Sequence, residues 1–399
     1  MGVIERESLR RLHYKGVCGS DLYVDPHVIA RIPPLLGGQC CIVRSLGEPP
    51  RRLYVRVNTL KTSVEDYLEL ASSRGFQLRM DEEIPEALWA PVEGPGRPGK
   101  YPGIVVADKR AAESVLLGSD LYAPGVIAAR GFNRGDKVSV YSERGRHVGS
   151  GIAVLSPEEM VRKRRGLAVR ITEPVYRSYR VHDLPGYEEG LIYGQSIPSM
   201  YVARLLDPQP GDRILDMTAA PGGKITHAVM LAGGRAEAIA VDRKSKMPVL
   251  RRTLERLGLE GIVRLVAADS RYLSKTHPGL EGWATKIIVD PPCTNLGVRP
   301  KVYCYRARRD VANAARYQRM FLYEAYRLAS PGGLVAYSTC TLTHDENESN
   351  VAWAVDTLGF EPVDPPGWAR RPRRGSLGLW FSPCDGLPGF YVALLRKPV

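Results

Sequence analysis

The stretch Arg213-Ile214-Leu215-Asp216-Met217-Thr218-Ala219-Ala220-Pro221-Gly222-Gly223-Lys224-Ile225-Thr226 constrains this chain more than any other. Ile214 and Leu215 form a short apolar strand, Pro221-Gly222-Gly223 is a turn no regular element tolerates, and Ile225 to Leu231 resumes as a helix. Strand, glycine turn and helix in that order make a crevice at the carboxyl end of a strand, where open α/β sheets bind ligands. An isolated Pro-Gly-Gly is more often an ordinary tight turn, so its meaning depends on the strands downstream. Glu237 to Val241 is a second buried strand ending in Asp242, Met247 to Leu257 a helix, and Val263 to Ala267 a short strand before Asp269. Three strands that each end in an acid, at Asp216, Asp242 and Asp269, in register with a glycine turn, fit a bound adenosine whose ribose hydroxyls one carboxylate takes. A phosphate-binding loop is excluded, because Thr218 stands where its first glycine belongs and Ile225 follows the lysine. Ala219 to Lys224 also lacks the Gly-x-Gly-x-x-Gly of a nicotinamide site.

Further along, Lys286 to Val289 is a fourth buried strand running into Asp290-Pro291-Pro292-Cys293. A helix from Asn313 to Leu328 and a sharp turn at Ser330-Pro331-Gly332-Gly333 lead to a fifth strand, Leu334 to Tyr337, which ends in Ser338-Thr339-Cys340. Two cysteines therefore fall at carboxyl ends of strands, on the ligand-binding edge. A lone cysteine there is usually structural. A pair with an acid three residues before one of them fits one reaction in particular. The C5 carbon of cytosine is too weak a nucleophile to take a methyl group until a thiolate has added to C6. An acid hydrogen-bonded to N3 assists that addition, which is a role for Asp290.

Seven cysteines, at 18, 40, 41, 293, 304, 340 and 384, show neither a disulfide framework nor a Cys-x-x-Cys zinc pair, so neither disulfides nor a metal are expected. The net charge of +13 points to a polyanionic partner, nucleic acid first, and the charge clusters at Arg162-Lys163-Arg164-Arg165, Arg306 to Arg309 and Arg370 to Arg374. Asn and Gln together number 11, a depletion of heat-labile amides that points to a thermophile. No apolar run reaches the length of a membrane span, and the first residues, with Glu5, Glu7, Arg10 and Arg11, carry no signal-peptide core, so a soluble, cytoplasmic protein is expected.

Residues 1 to about 50 are the least informative, with Ile32-Pro33-Pro34 breaking any long helix. Leu53 to Leu60 reads as a strand, Val64 to Ser73 as an amphipathic helix closed by Gly75, and Phe76 to Met80 as a second strand, half of a small βαβ module. Between about 92 and 172 come short strands, Ile104 to Ala107, Gly125 to Ala128, Lys137 to Tyr141 and Gly149 to Val154, as a compact barrel requires. Ser156-Pro157-Glu158-Glu159 starts a helix, whose basic end, Arg162 to Arg165, is either a solvated face or a phosphate grip. Gly190 to Gln195 and Pro198 to Leu206, a strand and a helix, return to the earlier module, so the barrel is inserted in it or laid beside it.

Leu117 to Val126 (LGSDLYAPGV) and Asn133 to Val138 resemble the PUA domain, a small RNA-binding barrel. Thr218 to Lys224 (TAAPGGK), Asp242, Asp269, Asp290-Pro-Pro-Cys293 and Ser338-Thr-Cys340 resemble the ordered motifs of the Sun family of RNA 5-methylcytosine methyltransferases. Arg56-Val57-Asn58-Thr59, Gly194-Gln195 and Asp385 to Leu395 resemble that family's flanking segments. The resemblance implies an α/β fold: a Rossmann-like S-adenosylmethionine-dependent methyltransferase domain at 213–399, an RRM-like α+β extension from 1–91 and 173–212, and an inserted PUA β-barrel at 92–172. It implies Cys340 as the nucleophile, Cys293 as the aid to product release, Asp290 at the base and Lys224 near the reacting ring. Thr218, Ala219, Ala220, Pro221, Gly222, Gly223 and Lys224 would hold S-adenosylmethionine together with Asp242, Arg243, Asp269, Ser270 and Asp290. Lys109 and Tyr122 join Arg162, Lys163, Arg164 and Arg165 as expected RNA contacts. The implied protein is a monomer acting on a cytosine near the acceptor end of transfer RNA. Thr294-Asn295-Leu296-Gly297 departs from the family's usual Ser-Gly or Ser-Ala and is expected to tune the base pocket.

Rival readings are a ribosomal RNA cytosine methyltransferase, an adenine-N6 methyltransferase, an inactive RNA-binding module and a small-molecule methyltransferase. An adenine enzyme would carry an aromatic residue where Cys293 stands, and a small-molecule enzyme would leave the charge and the barrel unexplained.

Overall fold

The computed structural model describes Cys18, Leu22 and residues 24–399; the charged residues read at positions 5 to 11 lie outside them. Strand β1 (Arg52–Val57) opens a small sheet. The helix Val64–Ser73 comes next, its amino end capped by the Ser63 side chain, which accepts from the Asp66 amide, and it buries Val64, Tyr67 and Ala71 along one stripe. Then come β2 (Arg79–Met80) and β3 (Ala87–Pro91). β3 lies antiparallel to both β1 and β2, so those two run the same way on either side of it, a split βαβ arrangement. The strand expected over Phe76 to Met80 shrinks to two residues. The Phe76 amide is drawn back to the Ala71 carbonyl at the helix end, and the Gln77 amide donates to the Tyr179 hydroxyl.

From β3 the chain enters a six-stranded curled sheet: β4 (Gly103–Ala107), β5 (Leu121–Tyr122), β6 (Val126–Arg130), β7 (Lys137–Ser142), β8 (His147–Ala153) and β9 (Leu167–Pro174), in the spatial order β5-β9-β8-β7-β4-β6. Its core includes Val105, Val115, Leu121, Val138, Val140, Val148, Met160 and Val169. The helix Lys109–Leu116, not read from the sequence, is capped by Asp108. The helix Pro157–Lys163 has the capping box that Ser156 and Glu159 foretell. β10 (Ile192–Gly194) then pairs antiparallel with β1 and completes the small sheet as β10-β1-β3-β2, so the curled sheet interrupts it between β3 and β10.

The helix Ile197–Leu206 is buried nearly all round and leads into the large sheet. Its parallel strands are β11 (Arg213–Asp216), β12 (Glu237–Asp242), β13 (Val263–Ala267), β14 (Ala284–Val289) and β15 (Ala329–Thr339). Strands β16 (Glu361–Val363), β17 (Arg373–Arg374), β18 (Leu379–Phe381) and β19 (Phe390–Arg396) extend it, in the order β13-β12-β11-β14-β15-β19-β18-β17, with β16 paired to β19. The turn expected at Ser330 to Gly333 is a bulge within β15: Ala329 faces Ala284, yet Leu334 faces Lys286. Successive strand residues alternate faces. Leu215, Ile239, Ile287 and Val335 pack with Phe321 and Leu322 of the helix Arg308–Leu328, while Ile214, Ala238, Ile288 and Ala336 pack with Ile225, Val229, Leu250 and Leu254. Both faces are covered, as the mixed α/β class expected from the sequence demands.

Two sequence expectations fail here. Four of the cysteines are paired, Cys18 with Cys40 and Cys41 with Cys384, leaving Cys293, Cys304 and Cys340 free. The second bond joins residues 343 positions apart, because the helix Gln39–Leu46 packs on the turn at Pro383–Asp385, a meeting that spacing cannot announce. The basic run Arg370 to Arg374 is partly taken up by pairs within the chain: Arg371 with the buried Asp81 at 2.8 Å, and Arg373 with Asp385 at the surface at 2.7 Å. Among the described residues no helix is long and apolar enough to cross a membrane.

Candidate active site

The carboxyl ends of β11, β12, β14 and β15 converge on one edge of the large sheet, and the turn after β11 is its floor. Gly222 sits at φ +117°, and a Cβ there would come within 3.0 Å of Thr253. A Cβ on Gly223 would lie 2.9 Å from the ring of Tyr193. Both positions exclude side chains, one by backbone conformation and one by crowding. Arg56 of β1, only 1% exposed, fastens this turn to the small sheet. Its guanidinium donates to Gln195 Oε1 at 2.6 Å, to the Gly223 carbonyl at 2.7 Å and to Thr226 Oγ1 at 2.9 Å.

A cavity of about 220 Å³ opens above the turn, lined by Tyr193, Gly194, Gln195, Ser196, Ser199, Asp216, Thr218, Ala219, Ala220, Pro221, Gly223, Lys224 and Asp290. Seven of the expected cofactor residues are thus brought together, and Gly222 supports the turn from behind. Asp242 reaches the same turn by accepting from the Ala220 amide at 2.9 Å. Arg243, Asp269 and Ser270 do not line the cavity. Arg243 is exposed, Asp269 is held in a fork by Arg271, and Ser270 is buried with its hydroxyl donating to the Met217 carbonyl. Tyr193, Ser196 and Ser199 were not foreseen; Asp216, read from its strand as an acid at the ligand crevice, lines the cavity. Asp216 is 1% exposed, and burial pushes its pKa up to about 7 despite the hydrogen bond it accepts from the Thr218 amide.

On the other side of the cavity Asp290 is fixed by three neighbours. Lys224 Nζ donates to its Oδ2 at 2.5 Å, Ser338 Oγ donates to its Oδ1 at 2.9 Å, and its amide donates to Thr218 Oγ1 at 3.1 Å. Burial works against the charge of Lys224, yet the Asp290 carboxylate keeps the ammonium's pKa above its ordinary value.

Cys293 and Cys340, on adjacent parallel strands' loops, place their sulfurs 3.3 Å apart. The hydrogen bond between them, reinforced by burial, pushes the Cys293 thiol well up, so Cys293 is protonated at neutral pH. Asn295 Oδ1 lies 2.8 Å from the Cys340 sulfur and 3.4 Å from that of Cys293, so it accepts the proton of whichever thiol is not donating to the other sulfur. The Gly297 amide donates to the Cys340 carbonyl at 2.9 Å, latching the two loops together. Beneath them Glu346, fully buried, accepts from the Thr294 amide, Thr294 Oγ1, Gln318 Nε2 and Thr343 Oγ1. The sequence gives no sign of Glu346's role, because its donors come from three separated segments.

The expected RNA contacts lie on the curled sheet, but not as one free patch. Arg162 and Arg165 are exposed, Lys163 pairs with Glu159 at 2.8 Å, and Arg164 donates to the Pro124 carbonyl near the exposed ring of Tyr122. Lys109 pairs with Glu113 and stands 5.2 Å from the ring of Tyr303.

A two-faced parallel sheet with a cavity at its carboxyl edge, joined to a small barrel, makes an α/β ligand-binding domain of the kind in which the sequence motifs set a methyltransferase. Comparison with known proteins agrees. The family described as 16S rRNA methyltransferase RsmB/F matches residues 203–360, and the PUA domain matches residues 103–175. The chain is 41% identical, over 89% of its length and 92% of the relative's, to a tRNA (cytosine(72)-C(5))-methyltransferase of Pyrococcus horikoshii. It is 35% identical to the tRNA (cytosine(72)-C(5))-methyltransferase NSUN6 of Mus musculus, over 80% of this chain and 75% of that protein. The crystal structure of NSun6 from Pyrococcus horikoshii with SFG, an S-adenosylmethionine analogue, superposes with a TM-score of 0.83 at 38% identity, covering 90% of this chain and 94% of that one. The chain belongs to the Sun/NOP2 family of RNA cytosine-5 methyltransferases.

Proposed function

We propose that this protein transfers a methyl group from S-adenosylmethionine to C5 of a cytosine near the acceptor end of transfer RNA, with Cys340 as nucleophile. The paired thiols 3.3 Å apart beside the locked Asp290–Lys224 pair carry the reading. The printed names of the relatives support transfer RNA as the substrate.

The cavity fits the cofactor by its chemistry. Asp216 and Asp290 present carboxyl groups to a ligand that carries a sulfonium and an ammonium, and Thr218 to Gly223 offer a backbone kept free of side chains at the glycines. S-adenosylmethionine supplies an electrophilic methyl group there. The protein's own work concerns the base. Cys340, its thiol proton given up to solvent, attacks C6 as a thiolate; the C5–C6 pair shifts to C4–C5 and the C4–N3 pair onto N3, which takes up a proton. A bare carboxylate would repel that density. Asp290 answers it because the Lys224 ammonium supplies the proton the pair presents. C5 then takes the methyl group, a solvent base removes its hydrogen as a proton, N3 returns its proton to the Lys224–Asp290 pair, the C5–C6 double bond re-forms and the bond from sulfur to C6 breaks. Cys293, protonated and in contact with Cys340, donates to the departing sulfur.

The test is transfer of labelled methyl to transfer RNA, with ribosomal RNA in parallel. Cys340→Ala should abolish transfer, and Cys293→Ala should trap a covalent protein–RNA adduct. An adduct trapped instead by Cys340→Ala would reverse the two roles.

A further inference from the structure

The loop that leaves the thiols does more than close the site. Lys301 Nζ donates to the Asn295 carbonyl at 2.8 Å, and the next residue, Val302, is buried in the core of the curled sheet, its amide donating to Glu113 at 3.2 Å. Arg146, from the loop between β7 and β8, donates to the Lys301 carbonyl at 3.2 Å. The loop is therefore bonded both to the thiol-holding residue and to the barrel.

Just beyond Val302 it displays two aromatic rings. Tyr303 and Tyr305 lie 4.6 Å apart between centroids, and Tyr305 is 49% exposed. The guanidinium of Arg144 stands 4.8 Å from the Tyr305 ring and 5.9 Å from that of Tyr303, with the Lys109 ammonium on Tyr303. Arg306, next in the chain, donates to the Thr294 carbonyl at 3.0 Å, so this surface adjoins the residue after Cys293. Fastening the loop requires Val302 and the Tyr303 hydroxyl, which bonds Glu143. The second ring, Tyr305, is half exposed beside an exposed guanidinium. Together they match what single-stranded nucleic acid recognises: an aromatic face for a base and cations for the adjoining phosphates.

We propose that Tyr303 and Tyr305, with Arg144 and Lys109, form a stacking platform for an unpaired nucleotide of the RNA substrate, between the target base and the segment held by the barrel. The platform rests on reading the chain as an RNA cytosine-5 methyltransferase. The occupant is unpaired because the faces of paired bases are already covered by their neighbours in the helix.

The experiment uses the full chain and transfer RNA carrying 2-aminopurine at each unpaired position of its 3′ end in turn. Binding should quench the fluorescence at one position, and Tyr305→Ala should remove that quenching and raise KM for RNA about tenfold, while Tyr305→Phe retains both. Arg144→Gln should raise KM with the quenching kept. Melting temperatures of the variants identify any that fail to fold, and the exposed site of Arg144 makes that substitution the safer one. Unchanged quenching and KM in a folded Tyr305→Ala protein would overturn the platform and leave the methyltransferase reading intact. Quenching by a wild-type protein that transfers no methyl to any RNA would do the reverse.

Discussion

Asn295 stands in the left-handed backbone region at φ +56°, where asparagine is tolerated better than most side chains, and from there its carboxamide oxygen reaches the thiols of Cys340 and Cys293. Replacing it by alanine removes the acceptor that orients Cys340. We expect Asn295→Ala to lower kcat about tenfold and leave KM for S-adenosylmethionine unchanged, read in steady-state methyl transfer. Asp216 gives a second prediction, for pH. With its pKa pushed up to about 7, the carboxyl is neutral below that pH and ionised above it, and a cationic ligand in the cavity favours the ionised form. Cofactor binding should therefore tighten as pH rises through about 7 and release protons as it does so. Calorimetry at pH 6 and pH 8 in buffers of different ionisation enthalpy measures both, and Asp216→Asn should flatten the dependence. The acid after β11 was legible as a site residue from its strand. The cavity around it was not, since Tyr193, Gln195 and Ser199, which line it too, come from a segment beyond the barrel.

The junction between the small and large sheets joins apolar packing of Tyr54, Ile84 and Ala87 to charged side chains that no apolar pattern announces. Glu86, just before β3 and 2% exposed, accepts from Arg204 Nε at 2.8 Å and faces His227 Nε2 at 2.5 Å. Burial holds His227 down to about 4, and His227 and Arg204 hold Glu86 well below the usual carboxylate range against its own burial. The unfolded chain therefore binds more protons than the folded one below about pH 6.5, first at histidine and then at glutamate, so stability falls as pH drops toward 4 and beyond. Urea midpoints taken from pH 7 to pH 4 should decline, and Glu86→Ala, which leaves Arg204 unpaired, should cost about 3 kcal/mol at pH 7. Strands of the large sheet were readable because both faces are covered, which turns them into plain apolar runs. β2 is shorter than its sequence suggests because the preceding amides found partners outside the sheet, and the helix Lys109–Leu116 is hidden within a segment dominated by turn and strand signals. The disulfides were unreadable for a different reason: pairing depends on where a helix near one end of the described chain meets a turn near the other.

As a whole molecule the chain carries a net charge of +13, with some of its basic side chains committed to pairs such as Arg371–Asp81 and Arg373–Asp385. What remains exposed on the curled sheet, Arg162 and Arg165 in particular, is available to phosphates. RNA affinity should fall linearly on a log–log plot against salt, and Arg162→Ala with Arg165→Ala should each reduce the slope by about one. An RNA trimmed of its unpaired 3′ end should be methylated far more slowly; equal rates would remove the barrel from substrate selection.

The barrel is mounted at three separate points. The chain enters it from β3 and leaves it for β10, two strands of one sheet, and the loop from the thiols plugs Val302 into its core. A part bolted at three places has no axis to swing about. On the proposed function such a barrel would serve as a fixed gauge: its spacing from the sulfurs is set by the protein, and any bending needed to span it falls to the RNA.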